Sequence, residues 1–159
     1  MNLLKIITEN YSFSFSGRIN ILSKPSKQYL GAIIQAEGRI VNAKYANLEG
    51  RKALASILME LKGNKSFHFV SEPEVISSQE RIFELTESQF LKFKNDYFEQ
   101  HDALSKLRPK DHIKLLIDTN YLDFNHNVSK PEFDVMCSMV DYSLVGDIYK
   151  YCNLLDFDI

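Results

Sequence analysis

The 159-residue sequence has no tryptophan, two cysteines, four prolines and six glycines. Each shortage excludes something. The glycines form neither G-x-G-x-x-G nor a P-loop pattern, which argues against a standard mononucleotide or dinucleotide site. No serine or cysteine sits in a G-x-S-x-G elbow. Cys137 and Cys152 have no C-x-x-C partner and no neighbouring histidine, so zinc spacing is missing. Both fall in helical stretches and are expected to be buried thiols in a reducing compartment. No apolar run approaches the roughly 20 residues of a membrane span. The start, "MNLLKIITENYS", is broken by Glu9 and Asn10 and lacks a signal-peptide cleavage pattern. A cytoplasmic location is the resulting expectation. A net charge of -2 gives no overall basic footprint for nucleic acid or an anionic membrane.

What is present is an ordinary globular balance, 45% hydrophobic and 25% charged, enough for one domain or two small ones. Leu3, Leu4, Ile6 and Ile7 predict a short amphipathic helix. "SFSFSGRINILS" alternates and predicts a half-buried strand including Phe13 and Phe15, with Gly17 as a bulge or the strand start. "YLGAIIQAEGRIVNAKY" predicts a hairpin turning at Glu37-Gly38. Its Ile33, Ile40 and Val41 are candidates for one sheet face. A helix follows from Gly50 to Leu61, with Leu54, Ile57, Leu58 and Leu61 on one face. Asn47 is the candidate N-cap, and Gly63-Asn64 the C-terminal stop, with the glycine expected to close it. "KSFHFV" alternates again, with Phe67 and Phe69 inward and His68 toward solvent.

After Val75 the chain becomes polar, then helical. Thr86 reads as an N-cap, with Phe90, Phe93, Tyr97 and Leu104 at helical spacing. "HIKLLIDTNY" reads as a short strand. Ser129, Pro131 and Glu132 form a helix start with a capping box, and "SLVGDIYKYCNLL" gives one more short helix. The expected architecture is α+β. A small antiparallel sheet of about four strands, packed by helices, occupies residues 1–75. A helical linker fills 76–110, and a small helical unit fills 111–159.

The chemically able residues are scattered. His68, His101, His112 and His126 form no H-x-x-x-H or H-E-x-x-H pattern. His101 and Asp102 are adjacent, and neighbours in a helix do not face each other. His126 lies near Asp123. "DTNYLDFNHN" is oxygen-rich but lacks the glycine and glutamate of a calcium loop. Asp156 and Asp158 read as solvated charges. The last two helices have helix-turn-helix length, yet the second offers Asp147 and Lys150 where base reading wants Arg, Lys, Asn or Gln.

Several elements in order resemble a known family. They are Gly17-Arg18-Ile19, Leu30–Ile34, Glu37-Gly38-Arg39-Ile40-Val41-Asn42-Ala43, Gly50-Arg51-Lys52-Ala53-Leu54, and Gly63 followed by Phe67 and Phe69. This run, about the first 75 residues, resembles the PATAN domain, named for the N-terminal region of a cyanobacterial response regulator. The chain departs from the family in its short first helix and in Pro25 after the first strand. Ser129–Glu132, Phe133, Val135, Val140-Asp141, Ser143, Asp147-Ile148 and Leu155-Asp156-Phe157 resemble the winged-helix-like tail that follows such domains. That tail continues into a third helix, so the chain is expected to be part of a longer protein.

The resemblance implies a non-catalytic protein–protein interaction module in bacterial signal transduction or motility regulation, with no cofactor or metal. It implies a protein partner, such as a response-regulator receiver domain in a two-component system, and is compatible with a homodimer. Tyr29, Tyr45 and Arg51 are the candidate partner-binding residues, expected to be exposed, since Tyr and Arg are favoured at interface hot spots. The alternative is a DNA-binding transcriptional regulator using the C-terminal helices. A hydrolase built around His101 or His126 is a further rival.

Overall fold

The computed structural model describes residues 3–118, 120, 128–152, 154–155 and 159. The chain divides into two compact units, Met1–Phe98 and Glu99–Ile159. Asp123, His126, Asp156, Phe157 and Asp158 lie outside the described residues. Among the described residues, no helix is long and apolar enough to cross a membrane.

The first unit is α+β. Helix α1 (Leu3–Ser12) precedes strands β1 (Gly17–Ser23), β2 (Tyr29–Ala36), β3 (Arg39–Tyr45) and β4 (Leu48–Glu49). Helix α2 (Gly50–Lys62), strand β5 (Phe67–Pro73), a 3-10 turn (Ser78–Glu80) and helix α3 (Glu87–Leu104) follow. The strands form one antiparallel sheet in the order β4-β3-β2-β1-β5. The expected sheet of about four strands gains the two-residue β4. Glu37 and Gly38 both take positive φ, 52° and 81°, the turn that matches strand twist in a two-residue hairpin.

Phe13 and Phe15 are not strand residues. Ser14 takes φ 50°, and the amides of Ser14 and Phe15 donate back to the carbonyls of Tyr11 and Asn10. This Schellman closure of α1 spends the residues that looked like an alternating strand, and β1 begins at Gly17. The end of α2 has the same closure. Asn64, at φ 63°, takes the left-handed position, whereas Gly63 stays at φ -73°. The cap therefore rests on Asn64 and not on the expected glycine.

One sheet face carries Ile19, Ile21, Ile33, Ile40, Ala43, Phe67 and Phe69. Leu3, Ile6 and Ile7 of α1 and Leu54, Ile57 and Leu58 of α2 cover it, as the helix spacing predicts. Val41 does not join that face. The β2–β3 register shifts between Ile34 and Gln35, so Val41 is an extra residue opposite β2. The bulge sends it to the other face, beside Ile34, Ala36 and Ile76.

Residues 74–98 are bound to the sheet and are no free linker. The Glu74 amide donates to Ser16, and the amides of Ile82 and Phe83 donate to the Val41 carbonyl. Leu85 bridges Ile40 with two backbone bonds, of 3.0 and 2.8 Å. Arg18 donates to Glu74 and Glu80, each at 2.5 Å. Glu80 also accepts from Ser77 in a capping box. Thr86 and Gln89 cap α3 as expected, by exchanging hydrogen bonds, and the helix buries Phe90 and Tyr97. The division between units accordingly falls after Phe98, inside α3, rather than at residues 75 and 110.

Asn42 carries a role expected of Asn47. Fully buried on β3, it accepts the amides of Ala43 (2.7 Å) and Gly50 (3.3 Å), which satisfies the start of α2. Its amide donates to Glu49 at 3.0 Å, and Lys44 lies 3.3 Å from the same carboxylate oxygen. Donation from Asn42, then from Lys44, holds the Glu49 carboxyl below its ordinary value of 4.5. A depressed carboxyl contributes stability above its unfolded pKa and loses it as pH falls through the folded value. Glu49→Gln is therefore expected to lower the thermal midpoint at neutral pH. The gap from the parent chain should narrow as pH falls below the ordinary value of 4.5. Melting curves across that range check this; a gap independent of pH would contradict it.

In the second unit, α4 (Lys130–Asp141) opens on Ser129 with the predicted capping box to Glu132. Helix α5 (Val145–Tyr151) buries Val145 and Ile148. The strand expected at residues 112–121 is, among the described residues, one isolated bridge, Lys114 to Leu144. The Leu115 amide donates to Ser143 and the Val145 amide to Ile113. The paired segment then turns into α5 at Val145, which leaves no extended backbone to pair with.

Candidate functional site

The three residues expected to bind a partner are placed differently. Tyr29, at the start of β2, is 55% exposed. Arg51 is exposed on α2, its guanidinium 5.8 Å from the Phe83 ring centre. Tyr45 is only 9% exposed. Its ring meets Phe67 edge-on at 6.3 Å between centroids. That corrects the expectation of a surface Tyr45. In a strand whose neighbour carries Gly31 directly opposite, the ring lies on the core face.

The second unit holds the more suggestive surfaces. Helix α4 is apolar around much of its circumference, yet none of its residues is fully buried. Such a helix normally lies inside a protein or an interface. At helical spacing, Val135, Met136 and Met139 share one face, and Phe133, Cys137 and Val140 an adjoining one. The first three line a slot of about 370 Å³ with Leu116, Ile117 and Ile159, and Asp118 and Glu132 stand at its rim. On the adjoining face Phe133 is 57% and Val140 81% exposed. Cys137 is exposed there as well, against the expected buried thiol, whereas Cys152 is buried as expected. Methionine is unbranched and polarizable, so such a slot adapts to different apolar side chains.

A second cavity, of about 810 Å³, lies along residues 101–112. It gathers His101, Arg108, Lys110 and His112 against Tyr149. Arg108 is fixed by Asp111 at 2.6 Å and lies 4.1 Å above the Tyr149 ring centre. The Gly146 amide donates to the Asp111 carbonyl and ties this loop to α5. His101 lies 3.7 Å from Asp102, beyond hydrogen-bond range. Among the described residues, no group of three His, Cys, Asp or Glu side chains could hold a metal.

No protein-family model, no curated protein and no solved structure matches the chain. Reading the sequence missed the outer stripe of α4. The signal was there: Phe133 and Val140 add an apolar face beyond the one needed to pack the helix on its neighbour. Arg108 was missed because its partners come from a turn and from α5.

Proposed function

We propose that this chain is a non-catalytic protein–protein interaction module of bacterial signal transduction or motility regulation. Its partner is a signalling protein such as a receiver domain. The observation that carries the reading is the exposed apolar stripe of α4, Phe133, Cys137 and Val140, beside a methionine-lined slot. Large exposed apolar patches mark interaction sites, and a helix laid against an apolar groove is a recurring recognition mode. The resemblance of residues 1–75 to the PATAN domain supports the same class.

The test is capture of a purified receiver domain by the chain and by a Phe133→Ser, Val140→Ser double variant. Both substituted positions are exposed, so the circular dichroism spectrum should not change. The parent chain is expected to retain the receiver domain and the variant to lose it. Equal retention by both would overturn the assignment to α4. Retention by neither would remove the receiver domain as partner. A second reading, a DNA-binding regulator, draws support from four exposed cations within nine residues, Lys106, Arg108, Lys110 and Lys114. It requires duplex affinity that falls steeply with salt. Negligible binding at two salt concentrations removes it.

A further inference from the structure

The two edges of the sheet are finished differently. At one edge β3 is covered by β4, through Lys44–Glu49 and Tyr45–Leu48. The same strand is covered again by residues 82–85, which bond to Ile40 and Val41. At the other edge β5 pairs with β1 along all seven of its residues, Phe67 to Pro73. Among the described residues of the first unit no strand lies beyond it. His68, Ser71, Glu72 and Pro73 are exposed there, and Val70 is half-buried. An edge strand with free backbone groups is a template for another strand.

We propose that the occupant is a second copy of the chain, paired β5 to β5 in an antiparallel register centred on Val70. A two-fold axis makes such an interface self-complementary. Keeping both cores on one side of a continuous sheet requires residues of like facing to oppose each other, so the axis passes midway between a residue and its own copy. Centring on Val70 opposes the whole strand: Phe67 with Pro73, which accepts but has no N–H to donate, His68 with Glu72, Phe69 with Ser71, and Val70 with itself. Centring on Phe69 or Ser71 shortens the pairing and sets Val70 against His68 or Glu72. The Val70 register sets an imidazole opposite a carboxylate, twice by symmetry, and places no like charges together. Opposite polar partners stabilise a cross-strand pair, and a β-branched residue suits the axis position.

The register is tested by cross-linking. A Val70→Cys chain, with Cys137→Ser to remove the exposed thiol, is mildly oxidised and run without reductant. Residues opposed on the axis lie about 4.5–5.5 Å apart at Cα, inside the disulfide range. Ser71→Cys in the same background stands roughly 8 Å from its own copy, beyond that range. A covalent dimer from Val70→Cys and none from Ser71→Cys is the expected result. Equal cross-linking of both, or none from either, overturns the register. Light scattering of the parent chain should give twice the 18.4 kDa monomer mass at high protein concentration. His68→Glu should weaken association about tenfold, the effect of turning two attractive pairs into repulsive ones. Adding Glu72→His should restore it. A parent chain that stays monomeric overturns the proposal. The Phe133→Ser, Val140→Ser variant should dimerise as the parent does, so failure of the partner reading and failure of this one are separable.

Discussion

Replacing Gly31 with alanine is expected to cost about 3 kcal/mol or more, a drop of roughly 12 °C or more in the melting of the first unit. A Cβ at this position would lie 2.1 Å from the Lys44 carbonyl oxygen and 2.9 Å from the Tyr45 Cα. Both are backbone atoms of the paired strand, so no rotamer change relieves the clash. The pairing of β2 with β3 must open, or the alanine must distort β2. Either response also disturbs the Tyr45–Phe67 contact on the core face. Gly63→Ala is the control. There an added Cβ meets only ordinary contacts, the nearest at 3.5 Å, and φ is already -73°. That substitution is expected to be neutral or to stabilise by a few tenths of a kcal/mol. Melting curves of the two variants decide the matter. Equal midpoints would contradict a close approach of β2 to β3 at Gly31.

Phe90→Ala is expected to destabilise the sheet by about 3–5 kcal/mol, the usual cost of removing a buried aromatic ring. Phe90 is 1% exposed and belongs to the same cluster as Ile19, Ile33 and Leu54. The residue lies fifteen positions beyond the end of the 1–75 segment that the sequence marks as the sheet domain. The readout should therefore be hydrogen exchange of the β1 and β2 amides, which reports the sheet itself. Faster exchange there shows that α3 completes the core. Unchanged exchange would mean that residues after Val75 are the linker that their polarity first indicates.

The parts of the fold legible in the sequence are those encoded within a few residues. Glu37-Gly38 announces its turn, Leu54, Ile57 and Leu58 their helix face, and Ser129 with Glu132 a capping box. What was not legible depends on pairing between distant segments. The bulge at Val41 has no periodic signature, because Ile40 and Val41 are both apolar and either could face the core. Asn42 caps a helix eight residues away, and local capping rules look only at the residues next to the helix. Ile76 has only Val75 beside it and Leu85 stands between Glu84 and Thr86, with no sustained alternation around either, so nothing local says that they lie against a sheet. Tyr45 was misplaced because its chemistry suits an interface and its alternation suits a core. Only the strand register decides between them.

Glu80 serves two partners at once, Arg18 across the sheet and Ser77 in its own turn. Evolution at these three positions should accordingly be epistatic. Loss of Arg18 alone leaves Glu80 its cap, and loss of Ser77 alone leaves it its guanidinium. Loss of Glu80 removes both at one step. Drift in related sequences should therefore reach position 80 last, after one of its partners has already changed. A double-mutant cycle on Arg18 and Ser77 should show a coupling that vanishes when residue 80 is alanine.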